Sequence, residues 1–268
     1  MSAPSARARL VRRLVALAAF LLWAAAPAAA EGNEDCLECH NNREFLESLV
    51  EEGSRSIDDL LVDPKLFERS VHGSQSCTDC HFDFDGVPHG EDATSVDCGD
   101  CHDEQAKQHT QSLHGQALAR GDKYAPRCFD CHTRHAVQRH TDRTSPTATL
   151  NIPGLCGKCH HEGTAVTLQH DIPQDHIFEN YSQSMHGEGV YRKGLTVTAV
   201  CTSCHTSHFI LPHTDERSSI HRNNVAQTCT AVCHANIPQV HQRVVEGHLW
   251  QEDPEKIPAC TECHAPHK

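Results

Sequence analysis

The sequence predicts a chain of short α-helices and irregular segments with little or no sheet, wrapped around a core that the polypeptide does not itself supply. Three observations predict it. All 16 cysteines fall into eight boxes, each closed by a histidine. The chain is polar, with a mean hydropathy of −0.53, and holds only eight Phe, three Tyr and two Trp in 268 residues, too few large apolar side chains for an ordinary core of that length. Between the boxes, short phrases built on histidine recur in order.

Seven boxes read C-x-x-C-H: Cys36, Cys39, His40; Cys77, Cys80, His81; Cys98, Cys101, His102; Cys128, Cys131, His132; Cys156, Cys159, His160; Cys201, Cys204, His205; and Cys260, Cys263, His264. The eighth, Cys229, Cys233, His234, has one residue more between its cysteines. Two thioethers grip the vinyl groups of one haem, and the histidine that follows lies beneath the ring as an axial iron ligand, which explains the spacing. Zinc ribbons and disulfide frameworks also use C-x-x-C pairs, but neither needs a histidine directly after every second cysteine. The boxes therefore predict eight covalently attached haem c groups, with a disulfide or an unmodified thiol pair as the rival reading of the widened box. With about 30 residues of chain per box, porphyrin makes up most of the apolar interior, and cofactor binding becomes folding free energy. The apoprotein is not expected to fold.

Taken in order, residues 1–30 read as a signal peptide: Arg7, Arg9, Arg12 and Arg13, an apolar stretch over 14–26, and a small-residue cleavage site at Ala28, Ala29 and Ala30. Residues 31–268 read as a single octahaem cytochrome c domain built from repeats. A leading haem occupies 31–60. Two-box modules follow over about 61–102, 103–160 and 173–234, with a final half-module at 241–268. Each module opens on a phrase S-x-H-G: Ser70, His72, Gly73; Ser112, His114, Gly115; Ser184, His186, Gly187; and, degenerate, Gly247 and His248. The Cys128 and Cys201 boxes continue alike, with His135 and His208 three residues past the proximal histidine and His140 and His213 eight past it. A short helix is expected over 41–52, with Phe45, Leu46, Leu49 and Val50 on one side, and another over 64–70 delivering His72. Residues 83–90 and 145–154 read as loops.

Charge and export agree. The full chain carries −13, and its leader holds four of the 23 basic residues and none of the 36 acidic ones, so the mature chain is more acidic still. That balance disfavours nucleic acid and suits a basic patch on a redox partner. Thioether attachment takes place outside the cytoplasm, so the mature protein is expected in the periplasm or beyond the outer membrane.

Eight of the 24 histidines close boxes and twice as many remain, whereas Met185 is the one methionine left after the leader. Bis-histidine ligation follows, favouring low-spin iron and low potentials. With its S-x-H-G, C-H-x-x-H and D-x-x-S phrases, the chain resembles the bacterial periplasmic multihaem c-type cytochromes with paired C-x-x-C-H boxes, the cytochrome c3-like and decahaem-conduit-like group, over essentially all of 31–268. The resemblance implies that His72, His114, His186 and His248 are distal ligands, together with His135, His208 and His267. His89 takes that role in the first module, where Phe84 stands at the third place after His81. A rival set replaces His135 and His208 by His140 and His213. The resemblance also implies an electron carrier without catalytic residues, working between a membrane quinol-oxidising cytochrome b and a periplasmic reductase or outer-membrane cytochrome. Two other classes compete. One is an oxidoreductase acting on nitrite, hydroxylamine or a sulfur oxyanion at a five-coordinate haem, and the other is a subunit of an extracellular cytochrome oligomer or filament.

Overall fold

The computed structural model describes residues 32–50, 56–84, 86–89, 96–172, 174–237 and 258–268. Residues 1–30, expected as a signal peptide, and His248 lie outside them. The helices are α1 (Asn33–His40), α2 (Arg43–Leu49), α3 (Ile57–Leu60), α4 (Pro64–Glu68), α5 (Asp103–Gln111), α6 (Leu113–Ala119), α7 (Cys128–His132), α8 (Ile152–His160), α9 (Ala165–Gln169), α10 (Ile177–Gln183), α11 (Met185–Tyr191), α12 (Cys201–His205), α13 (Val225–Thr230) and α14 (Cys260–Cys263). Single 3₁₀ turns occupy Cys77–Asp79, Cys98–Asp100 and Thr149–Asn151. None of these helices exceeds nine residues, and no β-strand occurs among the described residues. The mainly irregular, short-helix architecture expected from composition is the one observed.

The chain divides into two compact units, one of Met1–Lys65 with Ser74–Asp97, the other of Leu66–Gly73 with Cys98–Lys268. In the first, α1 carries the Cys36 box. The Asn33 side chain donates to the Gln75 carbonyl (3.0 Å) and accepts from the Cys77 N–H (2.8 Å), tying the start of the second box to the start of α1. Asn42 caps α2 by accepting from the Phe45 N–H. This helix is shorter than the sequence suggested, because Val50 turns extended, and only Leu46 of the expected apolar face is buried. Phe45 and Leu49, one turn apart on the helix, are exposed.

In the second unit the S-x-H-G phrase acts as a corner between two helices. Ser112 ends α5 and starts α6, its hydroxyl donating to the His109 carbonyl (2.6 Å) and accepting from the Gly115 N–H (3.1 Å). Ser184 does the same between α10 and α11, with the Tyr181 carbonyl (2.7 Å) and the Gly187 N–H (3.1 Å). Both serines are buried. The glycine is required by close approach: a Cβ at Gly115 would lie 1.9 Å from the His109 carbonyl oxygen, and one at Gly187 2.0 Å from that of Tyr181. The first copy is a turn instead, with α4 ending at Glu68 and the His72 N–H bonding to the Ser70 hydroxyl (3.2 Å).

Repeats interlock through the backbone. Val71 N–H bonds to the Val137 carbonyl and Leu113 N–H to the Ile210 carbonyl, both at 2.8 Å, so each S-x-H-G phrase docks two residues past a C-H-x-x-H histidine of a later module. The D-x-x-S turns also match. Asp142 accepts from Thr144 N–H and Asp215 from Arg217 N–H, and Asn151 and Asn224 side chains donate to the carbonyls of Ser145 and Ser218. The segment 145–154, expected as loop, instead enters a helix at Ile152, with Pro153 where its missing N–H costs nothing. The small apolar cluster of this unit is Ile152, Tyr181, Val190 and Val200, with Cys156 and Cys201 packed against it.

Thr133 (φ 67°, ψ 174°) and Thr206 (φ 64°, ψ 178°), each directly after a proximal histidine, hold a backbone conformation that is nearly exclusive to glycine.

Two outcomes are expected for the haem-loaded protein in denaturant unfolding. Gly187→Ala destabilises by about 3 kcal/mol or more because the added Cβ meets backbone oxygen. Thr206→Gly is more stable than Thr206→Ala by about 1–2 kcal/mol, since both lose the hydroxyl but only glycine relieves the strained φ.

Candidate cofactor sites

Several boxes are single helical turns that their own residues close. In C-x-D-C and C-x-S-C boxes the residue before the second cysteine accepts from the backbone N–H preceding the first: Asp79 from Ser76 (2.8 Å), Asp130 from Arg127 (2.7 Å) and Ser203 from Val200 (3.1 Å). The proximal histidine N–H then bonds to the carbonyl of the first cysteine, His81 to Cys77 and His102 to Cys98 at 2.9 Å and His264 to Cys260 at 2.8 Å. In the widened box His234 N–H still reaches the Cys229 carbonyl, at 3.1 Å, now across five residues instead of four. The extra residue is absorbed as a π-type turn, with Val232 facing solvent.

Six box histidines face a second histidine from elsewhere in the chain. The ring centroids of His40 and His89 are 5.9 Å apart, His72 and His102 6.1 Å, His114 and His160 6.2 Å, His132 and His208 6.0 Å, His186 and His234 6.2 Å, and His205 and His267 5.9 Å. Across these pairs the angle between ring planes runs from 7° to 58°. Rings in direct contact come closer, as where Phe84 lies against His89 at 4.0 Å. A constant distance with a free angle is what one metal between two imidazoles produces. With metal–imidazole bonds of about 2 Å and a centroid about 1 Å behind each ligating nitrogen, the centroids come to about 6 Å apart, and each ring turns freely about its bond. The pair that includes the widened box obeys the same spacing.

The rings are prepared for that role. His40 Nδ1 donates to the Leu60 carbonyl (2.8 Å) and His267 Nδ1 to the Gln174 side-chain oxygen (2.7 Å), which leaves Nε2 with its lone pair for a metal. Neither acceptor carries a sequence signal. Burial holds His114 and His205 down to about 4 and also lowers His81, His132, His160, His186, His208 and His267, so these imidazoles stay neutral, the form that ligates. None of the 16 cysteines is joined in a disulfide, and all are half-buried or exposed. Burial raises Cys131 to about 11, and raises Cys77 and Cys229 to about 11 with help from the neighbouring Cys36 and Cys260.

The surroundings fit a large flat apolar group. The residues directly before the S-x-H-G histidines, Val71, Leu113 and Met185, are apolar and exposed, as is Phe82 beside His81. The buried hydroxyls of Thr133 and Thr206, next to His132 and His205, have no hydrogen-bond partner in the protein. A haem c held by the paired histidines and the adjacent thiols would cover these apolar side chains, and once bound it supplies one-electron iron chemistry.

The other histidines sit differently. His140 and His213 are exposed in the turns that lead to Asp142 and Asp215. His170 pairs with Asp122 (3.0 Å) and His176 with Glu162 (2.9 Å) at the surface. His221 Nδ1 accepts from the Asn223 N–H. His81, His135 and His264 make contacts of their own.

No characterised protein and no solved structure gives a significant match to this chain. Residues 47–160, under half of the chain, match the family model of the class III cytochrome c family. That segment is therefore similar to multihaem electron-transfer cytochromes with covalently bound haem c.

Proposed function

We propose that this chain is an exported, non-catalytic electron carrier that holds eight haem c groups, each bound through two cysteines and two histidines. The observation that carries the reading is the set of six histidine pairs, from 5.9 to 6.2 Å apart whatever their tilt. Its ligands are the eight box histidines with His72, His89, His114, His186, His208 and His267 opposite six of them. The sequence assignment leaves His135 and His248 for the two remaining irons. The exposure of His140 and His213 and the position of His208 opposite His132 favour this set over its rival.

The residues do three things in this reading. The thiols fix each cofactor to its helical turn. The paired imidazoles would hold the iron between them, and a haem held by two histidines would supply one-electron chemistry and leave no site for substrate. The hydrogen bonds from Nδ1 of His40 and His267 hold ring orientation and raise donor strength. The leader directs export to the periplasm. There the acidic surface docks basic redox partners, with a membrane quinol-oxidising cytochrome b as donor class and a periplasmic reductase or outer-membrane cytochrome as acceptor class.

Intact mass of the secreted protein should show a chain beginning near Glu31 with eight haems. Seven would point to the Cys229 box, and bound zinc in their place would end the reading. His114→Ala, His186→Ala or His208→Ala should each turn one low-spin haem high-spin in magnetic circular dichroism and raise its potential, because the oxidised iron loses the stronger donor. His140→Ala and His213→Ala should leave the spectrum as it is, and a reversal between His208 and His213 would install the rival set. Electron exchange with a basic soluble partner should slow as salt rises and the Debye length contracts from ~30 Å at 0.01 M to ~8 Å at 0.15 M. A flat stopped-flow rate over that range would mean that the acidic surface serves solubility alone.

A further inference from the structure

In the second unit, the C-H-x-x-H histidines that face a box histidine serve a box other than their own. His208 follows His205 by three residues, yet its ring faces His132; His267 follows His264 by three residues, yet faces His205. Three residues of chain reach at most about 10 Å, so each of these histidines ties the metal of its own box to the metal that it faces. Both ties meet at the Cys201 box. One leaves it through His208 toward the Cys128 box, and the other arrives through His267 from the Cys260 box. The strained φ of Thr206, 64°, turns the chain between His205 and His208, and His267 itself has the same φ of 64°.

On the attachment side the same box meets its neighbours in sequence. The Cys201 and Cys156 side chains both pack on the cluster of Ile152, Tyr181, Val190 and Val200. The helix α12 packs against both α8 and α13.

We propose that the Cys201 box is the branch point of the second unit, its haem adjoining those of the Cys128 and Cys260 boxes as well as those of the Cys156 and Cys229 boxes. The inference rests on the haem-carrier reading above. An order that simply followed the sequence would give this haem only the Cys156 and Cys229 boxes as neighbours. Four haems would then exchange electrons with this one directly.

Proton NMR of the fully reduced, haem-loaded wild-type protein tests this, since low-spin ferrous haems are diamagnetic and each can be assigned through its thioether cysteines. Cross-peaks from the haem on Cys201 and Cys204 to those on Cys128 and Cys260 are expected. Cross-peaks to the Cys156 and Cys229 haems alone would overturn the branch point while leaving the carrier reading intact. Absence of thioether-linked haem signals would instead overturn the carrier reading. A second measurement uses His267→Met, which should raise the potential of this haem so that it is reduced first. At that stage of a dithionite titration the oxidised Cys128 and Cys260 haem signals should shift and the Cys98 haem signals should not. If the signals at Cys128 and Cys260 stay still while those at Cys98 move, the assignment of the junction is wrong.

Discussion

Two imidazoles from separate segments of the chain, held about 6 Å apart, form the contact on which the rest of this molecule depends. Nine buried apolar side chains among the described residues cannot organise a chain of this length by hydrophobic burial alone. Pairs such as His132 with His208 and His205 with His267 join segments far apart in sequence. With a metal between the members of each pair, as proposed, cofactor binding and folding would share one free energy. Short helices suffice because each has only to deliver one box or one ligand.

The local chemistry serves that delivery. Ser112 and Ser184 end one helix and begin the next, which aims His114 and His186 without a connecting loop. Gly115 and Gly187 let the two helices of each corner come closer than any side chain would allow. Asp79, Asp130 and Ser203 close the turns that present the cysteines. The five-residue turn at Cys229 preserves the position of His234 despite the inserted residue, so the odd box meets His186 at the same spacing as its regular counterparts.

Much of this was legible in the chain. The boxes announce themselves because thioether attachment fixes both spacing and residue type, and the sparse apolar content foretold short helices without sheet. The repeated S-x-H-G phrase held the corner in plain sight, with serine for the cap and glycine for the close approach. Which histidine faces which was not legible, because the pairs are non-local and nothing near His208 in sequence points to His132. The Leu60 carbonyl that orients His40 is a backbone atom, invisible in a one-dimensional reading. The apolar run at Phe45 and Leu49 misled for a related reason: spacing tells which residues share a side of a helix, and not what in the rest of the chain covers that side.

The most direct test of the account is electron paramagnetic resonance of the oxidised, fully loaded protein. If paired neutral imidazoles hold every iron, the spectrum is wholly low-spin, with no signal from five-coordinate haem. A high-spin component of even one iron per chain would contradict that, and would return the molecule to the class of multihaem enzymes with an open coordination site.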